Sequence, residues 1–366
     1  MKMQNLTISK ETSLQLALLK LLACIGVVYI HSYILHWNFF TVTPEKLPIV
    51  YYVQTILSQY IARVAVPVFF AVSGYIYFAK QYQDSNWQFF CRKFKGILWP
   101  YMLWNSIAIF YIFLVQIPEF TRKFFTEYLI ISNFSFSRWV DAYCGWANGW
   151  FPFLYPLWFL PYLFAAFIIV HIFRKYFYKY EWLIWAAVLL NTVASSYVPL
   201  HKIMLEWGPC LRLLYAISFF TMGKLLLKYR QKLAGKAVLL VSGGVFAASA
   251  AASIAGLLPV VKWNPLSIYA GLVFIFSLTG NIGKCGAKTE KAIIFLSGFS
   301  FLIYVTHEYI MTVVVKLVYP ALPAKTFCIL VPYLLIPIVL ISVLVTGGWI
   351  LKKLLPKVYD FLFSGH

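Results

Sequence analysis

Apolar residues along this chain come in runs too long for the core of a soluble domain. Stretches of about 18 or more mostly hydrophobic residues recur along its whole length, and each is long enough to cross a hydrocarbon layer of roughly 30 Å as a helix. The pattern predicts about ten such helices, near residues 14–36, 60–79, 96–117, 150–173, 182–200, 208–227, 237–258, 263–282, 292–318 and 326–351. The connections carry no linker, low-complexity tract or repeat of fixed period. A single integral domain over residues 1–366 is therefore expected, of all-α class: a polytopic membrane helix bundle. The first run follows Lys2 and Lys10 as a signal peptide would. It is longer than a signal's apolar region and no small-residue cleavage site follows it, so it is expected to stay as a span.

Two segments between the runs stand out. "LPIVYYVQTILSQY" (47–60) is apolar but short, and reads as an interfacial or re-entrant helix with its aromatics at headgroup level. The stretch from about 118 to 149 is long and rich in Phe, Trp and Tyr. Loops of that length are often functional.

Composition supports the membrane reading: 62% of residues are hydrophobic and 11% charged, against roughly 25% charged in soluble domains. The charge that remains is mostly basic, with 31 Lys and Arg for a net +20. Most of it gathers in alternate loops, at Lys80, Arg92, Lys93, Arg174, Lys228 and Arg230 among others, while the opposite loops hold few cations. Cytoplasmic loops carry the cationic excess, so both termini are expected inside. The same dispersal over short loops argues against nucleic acid as a partner, since no basic domain stands behind it. The six cysteines contain no C-x-x-C pair and indicate neither a zinc site nor a disulfide framework. No metal is expected, and Cys144 with Cys210 is the one pair open to a bridge on the oxidising side.

Against this background the few ionisable residues inside spans become the candidates for chemistry. Each costs roughly 2.5–3.5 kcal/mol on insertion scales and marks a functional interior by default. They are Lys20 and His31 in the first run, Arg63 in the second, Arg212 in the sixth, and His307 with Glu308 in the ninth. In "KLLACIGVVYIH" (20–31) the lysine and histidine are eleven residues apart, about three helical turns, so they share a face about 16 Å apart along the axis. The pair suggests a wet polar seam from an inner cation to an outer imidazole. A snorkelling lysine and a hydrogen-bonded histidine would be the plain structural account. Following the predicted topology, Arg63, Arg212, His307 and Glu308 come to a similar depth in the outer half. Either arginine alone would pass for an interfacial anchor. Ser300, Tyr304 and His307 lie at offsets of four and three on one helix stripe, which serves a cavity or simple interhelical bonding. Glu308, a quarter turn away, is expected to pair with an arginine.

Four stretches in order carry a resemblance: "KLLACIGVVYIH", "RVAVPVFFAVSGYIYF" (63–78), "LYPLWFLPYLF" (154–164) and "SGFSFLIYVTHEYI" (297–310). Together they resemble the acyltransferase 3 family of integral membrane acyltransferases. The likeness is greatest to its surface-polysaccharide O-acetyltransferase branch, which includes enzymes acting on enterobacterial common antigen. The family's first-span hallmark is an arginine, ten residues and a histidine; here the histidine is His31 and Lys20 stands at the arginine position. Lysine keeps the charge but not the bidentate grip. The resemblance also covers Pro67, Phe69, Phe70, Ser73, Gly74, Trp158, Phe159, Leu160, Tyr304 and His307.

The resemblance implies a multi-pass protein of the bacterial inner membrane that moves an acetyl group from cytoplasmic acetyl-CoA, a co-substrate, to a hydroxyl of an extracytoplasmic or lipid-linked surface glycan. Lys20 would favour the CoA phosphates. Such chemistry needs a base for the hydroxyl proton and a donor or cation for the oxyanion. His31 is expected as the base or a transient acyl carrier. Arg63, Ser73, Arg212, Tyr304 and His307 are candidates for oxyanion or acceptor binding, and Trp139, Trp146, Trp150 and Trp158 offer faces suited to sugars or to an interfacial belt. A transporter of serine or of an acylated precursor is the leading rival, although the halves show no internal symmetry of the kind transporters often have.

Overall fold

A computed structural model of the chain describes residues 8–34, 39–116, 135–145, 152–197, 208–257, 265–280 and 285–363. Among the described residues the fold is all helical, without strands. In chain order the helices are α1 (Lys10–His31), α2 (Pro48–Gln54), α3 (Ala65–Lys80), α4 (Asn86–Lys93), α5 (Trp99–Gln116), α6 (Phe136–Cys144), α7 (Phe159–Ile172) and α8 (Arg174–Lys179). There follow α9 (Trp182–Tyr197), α10 (Gly208–Leu233), α11 (Lys236–Ile254), α12 (Pro265–Thr279), α13 (Ala287–Ser297), α14 (Ser300–Val318), α15 (Thr326–Leu354) and α16 (Pro356–Phe363). Among the described residues, eight helical runs are long and apolar enough to cross a membrane. The spans expected at 182–200 and 263–282 fall on shorter apolar helices, Trp182–Ser195 and Pro265–Thr279.

Several expected boundaries move, each for a local reason. Residues 48–59 are not a separate interfacial helix: α2 passes through a wide π turn (Thr55–Ile61) and a tight 3-10 turn (Ala62–Val64) into α3, giving one helical run, Pro48–Lys80. No Gly or Pro interrupts residues 49–66, so nothing stops the helix. The tight turn lies just before Pro67, whose ring would clash with the carbonyl four residues back in a regular helix. The third span likewise starts early, at Asn86, because Ser85 caps it with Gln88 in a capping box. The ninth is broken at Gly298 into α13 and α14. All six cysteines are free thiols.

Cross-links tie the helices at both ends. At the Lys10 end, Lys10 pairs with Glu290 (2.7 Å) and the Gln15 amide donates to the Phe276 carbonyl (2.9 Å). At the His31 end, the Tyr29 hydroxyl donates to the Leu334 carbonyl (3.0 Å), and Ser58 bonds both the Tyr29 carbonyl and the Tyr333 hydroxyl (2.6 and 2.7 Å). Midway, α3 and α10 cross almost backbone to backbone. A Cβ built on Gly74 would lie 1.7 Å from the Phe220 carbonyl oxygen, and one on Gly223 2.2 Å from the Tyr75 nitrogen. Small residues permit this approach, which gains van der Waals contact that lipid cannot supply.

Candidate active site

A cavity of about 200 Å³ opens at the His31 end, among α1, the turn before α3, the 3-10 turn Tyr155–Trp158, α9, α10, α12 and α14. Five of the residues singled out in the sequence line it: His31, Arg63, Trp158, Arg212 and Tyr304. Membrane cost explains this convergence, because an ionisable side chain must face a partner or a water-filled space rather than lipid.

His31 ends α1, and two side chains of α14 stand against it. Its Nδ1 lies 3.8 Å from Oε1 of Glu308, and its ring centroid is 5.0 Å from that of His307, edge to face. The carboxylate partner of this imidazole is therefore the residue expected to pair with an arginine. Because positions 307 and 308 are about 100° apart on a helix, they flank His31 from two directions. His307 itself is fully buried and does not line the cavity. Its Nδ1 lies 3.0 and 2.9 Å from the carbonyls of Ile303 and Tyr304. Carbonyls only accept, so Nδ1 carries the hydrogen and Nε2 keeps a lone pair with no partner among the described residues.

Arg63 is held side-on: its Nε and one terminal nitrogen donate to Oε1 of Gln59 (3.1 and 2.6 Å). Two of five N–H groups are thereby used, and the others are not hydrogen-bonded by any described residue. Arg212 lies with its guanidinium carbon 6.0 Å from the centre of the Trp158 ring. Tyr304 lines the cavity, but its hydroxyl donates to the Pro156 carbonyl. A phenol has one O–H to give, so Tyr304 is a clamp on the 155–158 turn rather than an oxyanion donor.

That clamp exposes a residue missed in the sequence. The Leu154 N–H is pinned by Oδ1 of the buried Asn105 (3.1 Å) and the Pro156 carbonyl by Tyr304, so the backbone on either side of Tyr155 is fixed. The Tyr155 ring faces His31 at 6.4 Å and lies within electrostatic reach of Arg63, Arg212 and Glu308. The signal was present in "LYPLWFL", where a tyrosine precedes a proline at a span's edge. Asn191, Ser195 and Tyr215 also line the cavity unforeseen.

Two candidates lie elsewhere. Ser73 is not in the lining: it sits ten residues beyond Arg63, about 15 Å toward the Lys10 end. Lys20 does not lead into the cavity by a wet seam. The cavity reaches Val27, and one turn further Cys24 is 1% exposed with its thiol donating to the Ser300 carbonyl (3.5 Å). That face of α1 is packed against α14, because sharing a face places two residues in line without deciding what fills the space between. Trp139 sits on α6 against Tyr143 (5.4 Å), outside the lining. Trp146, Trp150 and most of the 118–149 loop lie outside the described residues.

A second cavity, of about 470 Å³, lies at the Lys10 end between α1, α3 and α10. It is lined by Thr12, Tyr75, Phe78, Lys224, Lys228 and Arg230 among others, and Lys20 is not one of them. The cations here are engaged. Lys224 donates to the Phe177 and Tyr178 carbonyls (2.7 and 3.0 Å), Lys228 pairs with Glu181 (2.6 Å), and Arg230 donates to the Thr12 hydroxyl.

The fold and the two cavities define an integral membrane protein with a histidine–carboxylate pair and two arginines opening on one buried space. The sequence model of the acyltransferase 3 family, an acyltransferase domain, matches residues 14–351. This chain belongs to that family of membrane acyltransferases. Neither a curated protein nor a solved structure matches it.

Proposed function

We propose that this protein is an O-acetyltransferase of the bacterial inner membrane, of the surface-polysaccharide branch, with both termini in the cytoplasm. It takes an acetyl group from cytoplasmic acetyl-CoA and delivers it to a hydroxyl of an extracytoplasmic or lipid-linked glycan. The observation that supports this most is His31: within an acyltransferase chain, an imidazole backed by Glu308 opens into a cavity that also holds Arg63 and Arg212.

In this reading the glycan hydroxyl enters beside His31, with Trp158 as its platform. His31 takes the hydroxyl proton through Nε2, while Glu308 beside Nδ1 stabilises the imidazolium that forms. The hydroxyl oxygen attacks the thioester carbonyl, and a guanidinium offsets the oxyanion. Collapse breaks the C–S bond, and the departing CoA sulfur takes the proton back from His31. His307 orients the imidazole from behind. The donor's phosphates bind at the Lys10 end, where the cavity lined by Lys224, Lys228 and Arg230 offers more fixed cations than Lys20 alone. Along α10 the two cavities are only about 7.5 Å apart, from Phe219 to Lys224. The pantetheine arm passes beside the α3–α10 crossing, since the backbones of the two helices are in contact at Gly74 and Gly223.

Inverted vesicles carrying the protein and supplied with labelled acetyl-CoA should yield alkali-labile acetyl ester on the glycan fraction, and His31→Ala vesicles should not. Label that enters the vesicles without forming ester would overturn the reading in favour of transport.

A further inference from the structure

We propose that the groove between α13 and α15 at the Lys10 end is a binding site for an anionic phospholipid. The headgroup phosphate sits at Lys352 and Lys353, and the acyl chains run over Phe295 and Trp349. The site lies apart from both cavities and does not depend on the acyl-transfer reading.

The groove arises where two helices part. Both reach the Lys10 end: α13 starts beside the Lys10–Glu290 ion pair, and α15 runs there from the His31 end, where Tyr333 meets Ser58. At Gly348 α15 lies tight on α14, since a Cβ built there would be 2.6 Å from Leu302 Cδ1 and 3.1 Å from Phe299 Cδ1. At Gly298, where α13 breaks from α14, the packing is open. A Cβ built on that glycine would meet, within 4 Å, only the carbonyl oxygens of Phe295 (3.2 Å) and Ile294 (3.7 Å) in its own segment, and no atom of α15. The result is a wedge of about 400 Å³ with Ile294, Phe295 and Phe299 on one wall, Trp349 on the other, and Lys352 and Lys353 at its mouth. In the proposed topology it faces the cytoplasmic leaflet.

The chemistry of the lining selects the occupant. Lys352 and Lys353 close the apolar run of α15 and Trp349 lies one turn before them, the arrangement of a span's end at headgroup depth. Lys353 Nζ stands 5.5 Å from the centre of the Trp349 ring and Lys352 Nζ 5.3 Å from that of Tyr359, so aromatic faces hold both side chains in place. The lining contains two cations and no carboxylate. It can therefore take a phosphate but offers nothing to the ammonium of a choline or ethanolamine headgroup, which favours a lipid of net negative charge. Basic pockets between transmembrane helices hold anionic headgroups in this way. A partner helix fits less well, because the Gly348 contact closes the wedge only about 6 Å above Lys352. Lipid chains can instead leave it over Phe295 and Trp349, which are 47% and 46% exposed.

Quenching by brominated lipid tests this without any acyl transfer. The full chain in a neutral maltoside detergent is titrated with phosphatidylglycerol or phosphatidylcholine, each brominated along its chains so that a bound lipid quenches nearby tryptophan. Subtracting the curve of Trp349→Phe isolates the signal at this wedge from that of the other tryptophans. Half of that signal should be reached at about tenfold lower phosphatidylglycerol than phosphatidylcholine, a preference that two lysines at an anionic headgroup supply. The double variant Lys352→Gln, Lys353→Gln should bring the two lipids level, whereas Lys352→Arg, Lys353→Arg should keep them apart. Gly298→Leu, which fills the wedge and leaves its charge, should weaken quenching by phosphatidylglycerol severalfold; the exposed lysine variants carry the test if it does not fold. Equal quenching by the two lipids in the unaltered protein, or a preference that survives the loss of both lysines, overturns the proposal. So does the absence of quenching by either lipid while inorganic phosphate binds at the lysines, which would assign them to a soluble anion. None of these results bears on acetyl transfer in vesicles.

Discussion

The two ends of the bundle both collect cations around a cavity, yet they treat them differently. At the Lys10 end the lining cations are engaged by the protein: Lys224 by two backbone carbonyls, Lys228 by Glu181, Arg230 by Thr12. At the His31 end Arg63 is gripped along one edge by a neutral amide and its remaining donors meet no described hydrogen-bond partner, while the carboxylate near the cavity stands against a histidine. A charge that a protein satisfies internally gives structure or a soft docking site. A charge held in place but left unneutralised in a membrane interior serves something that arrives. The close crossing at Gly74 and Gly223 keeps the two regimes apart, so substitutions at the two ends should disturb different kinetic constants.

The sharpest contrast is His31→Ala. Removing the base should lower kcat in the vesicle assay by about 10²–10⁴-fold, the contribution usual for a positioned proton acceptor, with the donor KM little changed. A variant retaining a tenth of wild-type kcat would show that the chemistry lies elsewhere. Glu308→Gln should cost less, about tenfold in kcat, corresponding to roughly 1.4 kcal/mol of lost imidazolium stabilisation. Its effect should shrink to nothing in the His31→Ala background, because Glu308 acts through that ring. Additive losses in the double variant would break the pairing.

At the opposite end the effect belongs in KM. Arg230→Gln should raise the acetyl-CoA KM severalfold while kcat holds, as loss of uniform binding does. Lys20→Ala, with Lys20 outside the lining of that cavity, should raise it by less than about twofold. The reverse order, measured by varying donor concentration over vesicles of each variant, would return the phosphate site to Lys20 and erase the distinction between the two ends.

Much of this was legible in the sequence because of one constraint, the cost of charge in lipid. It picks out His31, Arg63 and Arg212 from a long apolar chain and requires them to face a common interior, which they do. Helix periodicity put His307 and Glu308 a quarter turn apart but could not say that the neighbour between them is His31. That depends on how α14 is rotated against α1, a matter of packing. The same limit misled the reading of Lys20 and His31: alignment on one face is a property of α1, while the fill between them belongs to Cys24 and the Ser300 carbonyl opposite. The π turn ahead of Arg63 carries no mark in composition, and it resets the phase at which that side chain emerges. Tyr155 escaped because aromatic residues at span edges are common, and only the bonds at Leu154 and Pro156 single it out.

Tyr304 gives the finest test, because two roles for one hydroxyl predict different losses. As an oxyanion donor, its removal would cost about 10²–10³-fold in kcat. The structure has that hydroxyl spent on the Pro156 carbonyl inside a buried contact. Tyr304→Phe keeps the ring among Phe69, Phe159 and His307 and deletes a single bond to a buried acceptor. Stability should fall by roughly 1–2 kcal/mol, read as a lower melting temperature of the purified protein in detergent. Below that temperature, kcat should stay within about threefold of wild type, the small loss reflecting a looser Tyr155 rather than a missing catalytic group. A hundredfold fall in kcat with an unchanged melting temperature would reverse the assignment and make Tyr304 part of the chemistry at the His31 end.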